Sequence, residues 1–277
     1  MNVRRLDPVA LLAAPALLYL LVVYAAPIVF LLARSVHTES GWAFDAYRSF
    51  FADDFNWKVI GNTLRIAVLV TLLCLAIGYP VALALARARG WSQVVLLAAI
   101  ILPLSVGVVV KAFAWQIVLR RDGVVSQLLV ALGVWDEPQR LLFTEAGLVL
   151  GAANVFLPFM ILPIYSVIRQ IDPRLTEAGA TLGASPWYRF TRISLPLTLP
   201  GIVAGMAFVL SMTVSMFVIP SLLIGDRFQT LATLTGRSFL LMRNEQLGST
   251  TAVVLLVLAV AIVVGSSLLA RRLGRHT

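Results

Sequence analysis

Two groups of residues in this 277-residue chain could act on something other than the chain itself. The first is a scatter of polar and aromatic side chains within apolar sequence: Lys111, Trp115, Asn154, Ser211, Ser215 and Phe217. Polar groups inside a hydrophobic span are costly and tend to face a bundle interior or a path. These six are the candidate path or gate residues. The second group is Glu177, Ala178, Gly179, Gly183, Ile193, Leu195 and Pro196, on a polar segment over 169–196 between two strongly apolar runs. A membrane chain has no structural need for such a segment unless something docks on it. Neither group points to covalent chemistry. The only histidines are His37 and His276 and the one cysteine is Cys74, so a Ser/His pair, a cysteine-based metal site or an internal disulfide has no members to draw on. No G-x-x-x-x-G-K-[ST] phosphate loop is present, so the chain cannot bind ATP in that way.

Blander roles compete for several of these residues. Serine hydroxyls in a membrane helix usually bond to their own backbone or to a neighbour, and Gly201 with Gly205 reads as close helix packing. Lys111 can snorkel to the interface. Cys74 reads as a small packing residue.

The elements that must position these groups follow from composition. Sixty per cent of the residues are hydrophobic, 13% are charged, and mean hydropathy is +0.94. The apolar residues fall in blocks long enough to cross a bilayer as helices, which takes roughly 20 residues each. Six are expected, over 8–32, 59–86, 94–119, 141–168, 197–224 and 250–270. The chain is thus expected to be a single all-α membrane domain over 1–277, with no room for a second folded domain. Arg4 and Arg5 precede the first block as in a signal peptide, but the block is long and lacks a clean cleavage site, so a retained first helix is expected.

Six spans place both termini on one face. That face, with the loops over 87–93 and 169–196, carries more arginine per loop residue than the other, although the raw counts are close. The positive-inside rule puts both termini and Glu177 in the cytoplasm. The net charge of +9 is therefore mostly membrane topology, and no basic, aromatic-bearing domain exists to bind nucleic acid. Trp42, Phe44, Trp57 and Trp135 fall on the outer loops, at the interfacial belt or against an external partner.

The segment over 169–196 reads as two short helices. Asp172-Pro173 is an N-cap followed by proline at the first helical position. Gly183 suits a left-handed C-terminal cap. Ser185-Pro186 repeats the start signal, and Leu195-Pro196 with Leu199-Pro200 is expected to break the chain before the fifth span.

The spacing of Glu177, Ala178, Gly183, Ile193, Leu195 and Pro196 resembles the EAA signature of ATP-binding-cassette importer permeases, with Gly179 where alanine is usual. Asn62-Thr63-Leu64-Arg65, Gly78-Tyr79-Pro80, Leu102-Pro103-Leu104 and Leu157-Pro158-Phe159-Met160 are similar to the spermidine/putrescine-type branch, and opine, phosphonate and iron systems share much of them. The resemblance implies a type I importer (MetI-like) permease fold in a bacterial inner membrane. It implies that residues 173–182 form a coupling helix on a separate ATPase, which binds ATP and Mg. It also implies a second homologous permease, and a periplasmic or extracellular solute-binding protein that delivers polyamines or a related small polar solute. No cofactor is expected in this chain.

One feature stands against a polyamine. No Asp or Glu lies mid-span, and desolvating a multiply charged amine without a carboxylate is expensive. Glu145, at the outer mouth of the fourth span, is the nearest acid. A paired permease could supply acids, aromatic faces could supply cation–π contacts, or the solute is another one. An ion-coupled secondary transporter would want intramembrane acids or a broken-helix ion site, and an intramembrane enzyme would want a catalytic cluster.

Overall fold

In the computed structural model, residues 8–38, 41–42, 44–225 and 228–273 are described. Both expected cytoplasmic termini, with Arg4, Arg5 and Arg275, end outside those residues. The chain begins with helix α1 (Pro8–Val36), followed by a two-residue antiparallel pair, β1 (His37–Thr38) and β2 (Gly41–Trp42). Helices α2 (Asp45–Ala52) and α3 (Asp54–Arg87) follow. Asp53 starts α3 by accepting a hydrogen bond from the Phe55 amide at 2.9 Å.

The third expected span is not one helix. Helix α4 (Trp91–Ile101) runs into a 3₁₀ turn, Leu102–Ser105, and α5 (Val108–Val118) leaves at 103°. Pro103 lacks an amide proton and Val106 is extended, so the ladder cannot continue through this point. Helix α6 (Val124–Ala131) lies in the following loop. Helix α7 (Glu145–Ile168) is the most buried of the candidate spans. It starts where Thr144 Oγ1 accepts from the Gly147 amide, a few residues later than expected.

The break expected before the fifth span is absent. Helices α8 (Arg174–Thr181) and α9 (Pro186–Arg189) form the hairpin. However, α9 continues through a π turn, Phe190–Ser194, into α10 (Leu195–Val214), giving one helical run over Pro186–Val214. Pro196 does not stop this helix. The widened turn takes up the missing amide and the ring's clash with the carbonyl four residues back, so an expected boundary becomes a bulge. The fifth span instead ends early. Its last expected residues form a separate short helix, α11 (Val218–Leu223), followed by α12 (Leu231–Leu240) and α13 (Glu245–Leu273).

Among the described residues, five helices are long and apolar enough to cross a membrane, and the bent α4–α5 pair makes the sixth if counted as one. The centre is α3, α7 and α10, which share the main core cluster around Val70, Met160, Ile164 and Val209. Helices α7 and α10 approach backbone to backbone at two glycines. A Cβ at Gly201 would lie 2.9 Å from the Pro163 carbonyl oxygen, and one at Gly205 would lie 3.0 Å from that of Met160. The pair is therefore a packing contact, as small residues at helix interfaces generally are. Cys74 is buried and donates to the Ala153 carbonyl at 3.5 Å, tying α3 to α7.

Candidate functional site

Local capping builds the α8–α9 hairpin. Asp172 Oδ1 accepts from the Arg174 amide at 2.9 Å, and Ser185 Oγ accepts from Tyr188 at 3.2 Å. Between the helices the Gly183 amide bonds to the Ala180 carbonyl and the Ala184 amide to Gly179, the two bonds of a Schellman cap. Gly183 has φ of +82°, a conformation glycine adopts without a side-chain penalty. The two expected capped helices and the bend between them are present.

The hairpin also brings Gly179 and Ile193 together. A Cβ on Gly179 would stand 2.9 Å from Ile193 Cδ1 and 3.4 Å from the Arg189 side chain. The glycine lets α8 lie close against the π turn. Glu177 and Ala178 are on the exposed side of α8, and Leu195 with Pro196 opens α10 just beyond the turn. Leu175, Leu182, Trp187 and Tyr188 are all exposed, with Leu182 at 86%. A polar hairpin carrying that much bare apolar surface has the character of a docking element.

The candidate path residues do not gather at one place. Trp115 Nε1 donates to Asn154 Oδ1 at 3.2 Å, linking α5 to α7. Asn154 is exposed although its neighbours on α7 are mostly buried, so a polar amide lies open midway along the most buried span. Lys111 is one turn before Trp115 on α5 and is half-buried. Trp115 and Asn154 thus meet directly, and Lys111 shares the Trp115 face of α5 by its i, i+4 spacing.

Ser211, Ser215 and Phe217 lie elsewhere. Ser215 donates to the Ser211 carbonyl at 2.8 Å, the backbone role serines commonly take. It lines an apolar crevice of about 360 Å³ with Pro27, Leu31 and Leu255. The Ser211 hydroxyl is buried without a hydrogen-bond partner. Phe217 borders a separate cavity of about 310 Å³ with Ser221, Gln229, Thr233 and Arg237. It packs so closely on Gly236 that a Cβ there would lie 2.4 Å from its ring.

Several contacts could not be paired from sequence. Glu145 faces Arg65, not Lys111: Arg65 Nε lies 2.9 Å from Glu145 Oε1, without the alignment of a hydrogen bond. The nearest acid to the membrane interior is thus already neutralised by a cation on α3. Asn62 and Thr63 hold the start of α12, by bonds to the Gln229 carbonyl at 3.2 Å and from the Leu231 amide at 2.9 Å. Gln116 donates to the Leu222 carbonyl at 2.7 Å, fixing α11 on α5. Tyr79 reaches Thr198 and Phe190 at the end of the bundle that carries the hairpin. The Asn62–Arg65 and Gly78–Pro80 motifs flagged four of these residues, Asn62, Thr63, Arg65 and Tyr79, but nothing in the sequence named their partners.

A family model described as the binding-protein-dependent transport system inner membrane component matches residues 78–275. The spermidine/putrescine transport system permease protein PotB of Haemophilus influenzae is 35% identical over 201 residues, which cover 73% of this chain and 70% of that one. A solved bacterial ABC transporter involved in importing the acidic polysaccharide alginate is similar in fold, with a TM-score of 0.77 at 20% identity over 95% of each chain. The MetNI methionine ABC transporter is similar with a TM-score of 0.62 at 18% identity, over 80% of this chain and 98% of that one. The spans, the hairpin and this kinship describe a multi-pass inner-membrane transport subunit and not an enzyme. The chain belongs to the family of inner membrane components of binding-protein-dependent transport systems.

Proposed function

We propose that this chain is the permease subunit of an ATP-driven importer for polyamines or a related small polar organic solute. The observation that carries the reading is the α8–α9 hairpin, whose capped helices hold exposed Leu182 and Trp187 clear of the bundle. Such a surface suits a groove on a separate ATPase, which would bind ATP and Mg and supply the energy. A second homologous permease would complete the transmembrane path, and a solute-binding protein would load it from outside. Closure of the ATPase would move the hairpin, and the spans would rock between outward- and inward-facing arrangements.

The solute assignment rests on likeness to the spermidine/putrescine permease. Aromatic Trp115 and the amide of Asn154 offer a cation a π face and an acceptor on the α5–α7 face. Because Arg65 already pairs with Glu145, the remaining acids for a polyamine would come from the partner permease.

Co-purification tests this reading. The tagged chain is extracted from native membranes in mild detergent, and bound proteins are identified by mass spectrometry. A stoichiometric ATPase and a second permease are expected. The accompanying binding protein, titrated calorimetrically with spermidine and putrescine, should bind one of them. Recovery of the chain alone, even after crosslinking through a cysteine at Leu182, would refute motor coupling. Binding of neither amine would refute the polyamine assignment.

A further inference from the structure

We infer that Tyr79 is the positioning residue that passes movement of the α8–α9 hairpin into the membrane bundle, by gripping the π turn Phe190–Ser194 from both of its ends. This rests on the importer reading above. The hairpin has no broad seat on the spans. A cavity of about 300 Å³, lined in part by Arg87, Ile168, Asp172, Thr176 and Thr198, separates α8 from the cytoplasmic ends of α3 and α7. The main contacts of α8 are with α9 and the π turn. Force on α8 therefore reaches the bundle through Ile193 and Arg189, which bear on Gly179, and through Arg189 Nη1, 3.5 Å from the Thr176 carbonyl.

On its other side the π turn meets Tyr79 of α3. The Tyr79 ring stands edge-on to Phe190, the first residue of the turn, with centroids 6.0 Å apart and planes at 70°. Its hydroxyl lies 3.1 Å from Thr198 Oγ1, beyond the end of the turn. Thr198 is buried and spends its one proton on the Leu195 carbonyl at 2.9 Å, so Tyr79 is the donor. Trp187 extends the aromatic stack, 5.8 Å from Phe190. A π turn holds one residue more than an α turn, which rotates the helix before it by about 100° relative to the helix after it. Its register therefore decides which face of the hairpin meets the bundle. Tyr79 touches both sides of that register and is anchored on the central helix α3.

The test uses the whole importer, this chain with its ATPase and partner permease, in proteoliposomes with the binding protein and radiolabelled spermidine. The readout is spermidine moved per ATP hydrolysed. Tyr79→Phe keeps the ring and removes only the hydroxyl, and the ratio is expected to fall about fivefold, on the scale of one hydrogen bond. Thr198→Val removes the same bond from the other side and should give the same fall. The double variant should be no worse than either, and Thr198→Ser should restore the ratio. A purely structural role would lower yield, ATP hydrolysis and transport together and leave the ratio unchanged; that result overturns the inference. If the wild-type importer couples and Tyr79→Phe couples equally well, the inference fails and the importer reading stands. A wild-type complex whose ATP hydrolysis ignores the loaded binding protein would overturn both.

Discussion

Replacing Gly201 with alanine should destabilise the bundle more than any other single methyl placed on α10. The methyl would lie 2.9 Å from the Pro163 oxygen, 3.0 Å from Ile164 Cα and 3.1 Å from Val167 Cβ. Two of these neighbours are backbone atoms of α7 and cannot turn aside, so the helices must separate by several tenths of an ångström. Overpacking of this kind costs about 1–3 kcal/mol, and rigid neighbours place Gly201 toward the upper end. Alanine returns up to about 1 kcal/mol of helix propensity. The net loss is about 2 kcal/mol, or a fall of roughly 4–8 °C in apparent Tm for a chain of this size. The assay is thermal unfolding of the detergent-purified chain, followed by light scattering or a fluorescence size-exclusion series. Gly265→Ala is the internal control, because a Cβ there meets nothing within 4 Å and only the propensity gain remains. Its Tm should equal or exceed that of the wild type. If Gly201→Ala melts at or above the Gly265→Ala variant, the backbone contact between α7 and α10 is not what holds these spans together.

Two further predictions address the hairpin and the path. Gly183→Ala puts a side chain at φ +82°, at a cost of roughly 1–2 kcal/mol, so amide exchange over 174–184 should speed up by about tenfold; unchanged protection would mean that the cap does not hold the bend. Asn154→Cys in the full chain should react with a membrane-impermeant thiol reagent about tenfold or more faster than Val257→Cys, because thiolate forms where water reaches and a lipid-facing site stays dry. The native Cys74 is buried and gives little background; equal rates at the two positions would place Asn154 in lipid and remove it from the path.

Sequence alone determined the class of this protein and the local form of its hairpin. Hydrophobic blocks long enough to span a bilayer announce themselves by length. The caps at Asp172, Gly183 and Ser185 act within a few residues of themselves, so their types and order specify two short helices whatever surrounds them. Proline was the misleading signal. At Pro103 it marks a real break that turns the third span through 103°, whereas at Pro196 the helix absorbs it in a π turn and runs on. Which outcome prevails depends on whether neighbouring helices support a widened turn, and that information is not local.

Pairings across the bundle were decided only in three dimensions. Glu145 could have met Lys111 or Arg65, and α7 packs beside α3 so that Arg65 reaches it. Trp115 finds Asn154 because α5 bends back onto α7, while Ser215 and Phe217 are carried by the break after α10 to other cavities. Tyr79 and Thr198 are 119 residues apart in sequence, and only the packing of α10 on α3 brings them within a hydrogen bond. A residue's type states which bonds it can make; the fold chooses the partner, because that choice is set by helix packing summed over the whole core.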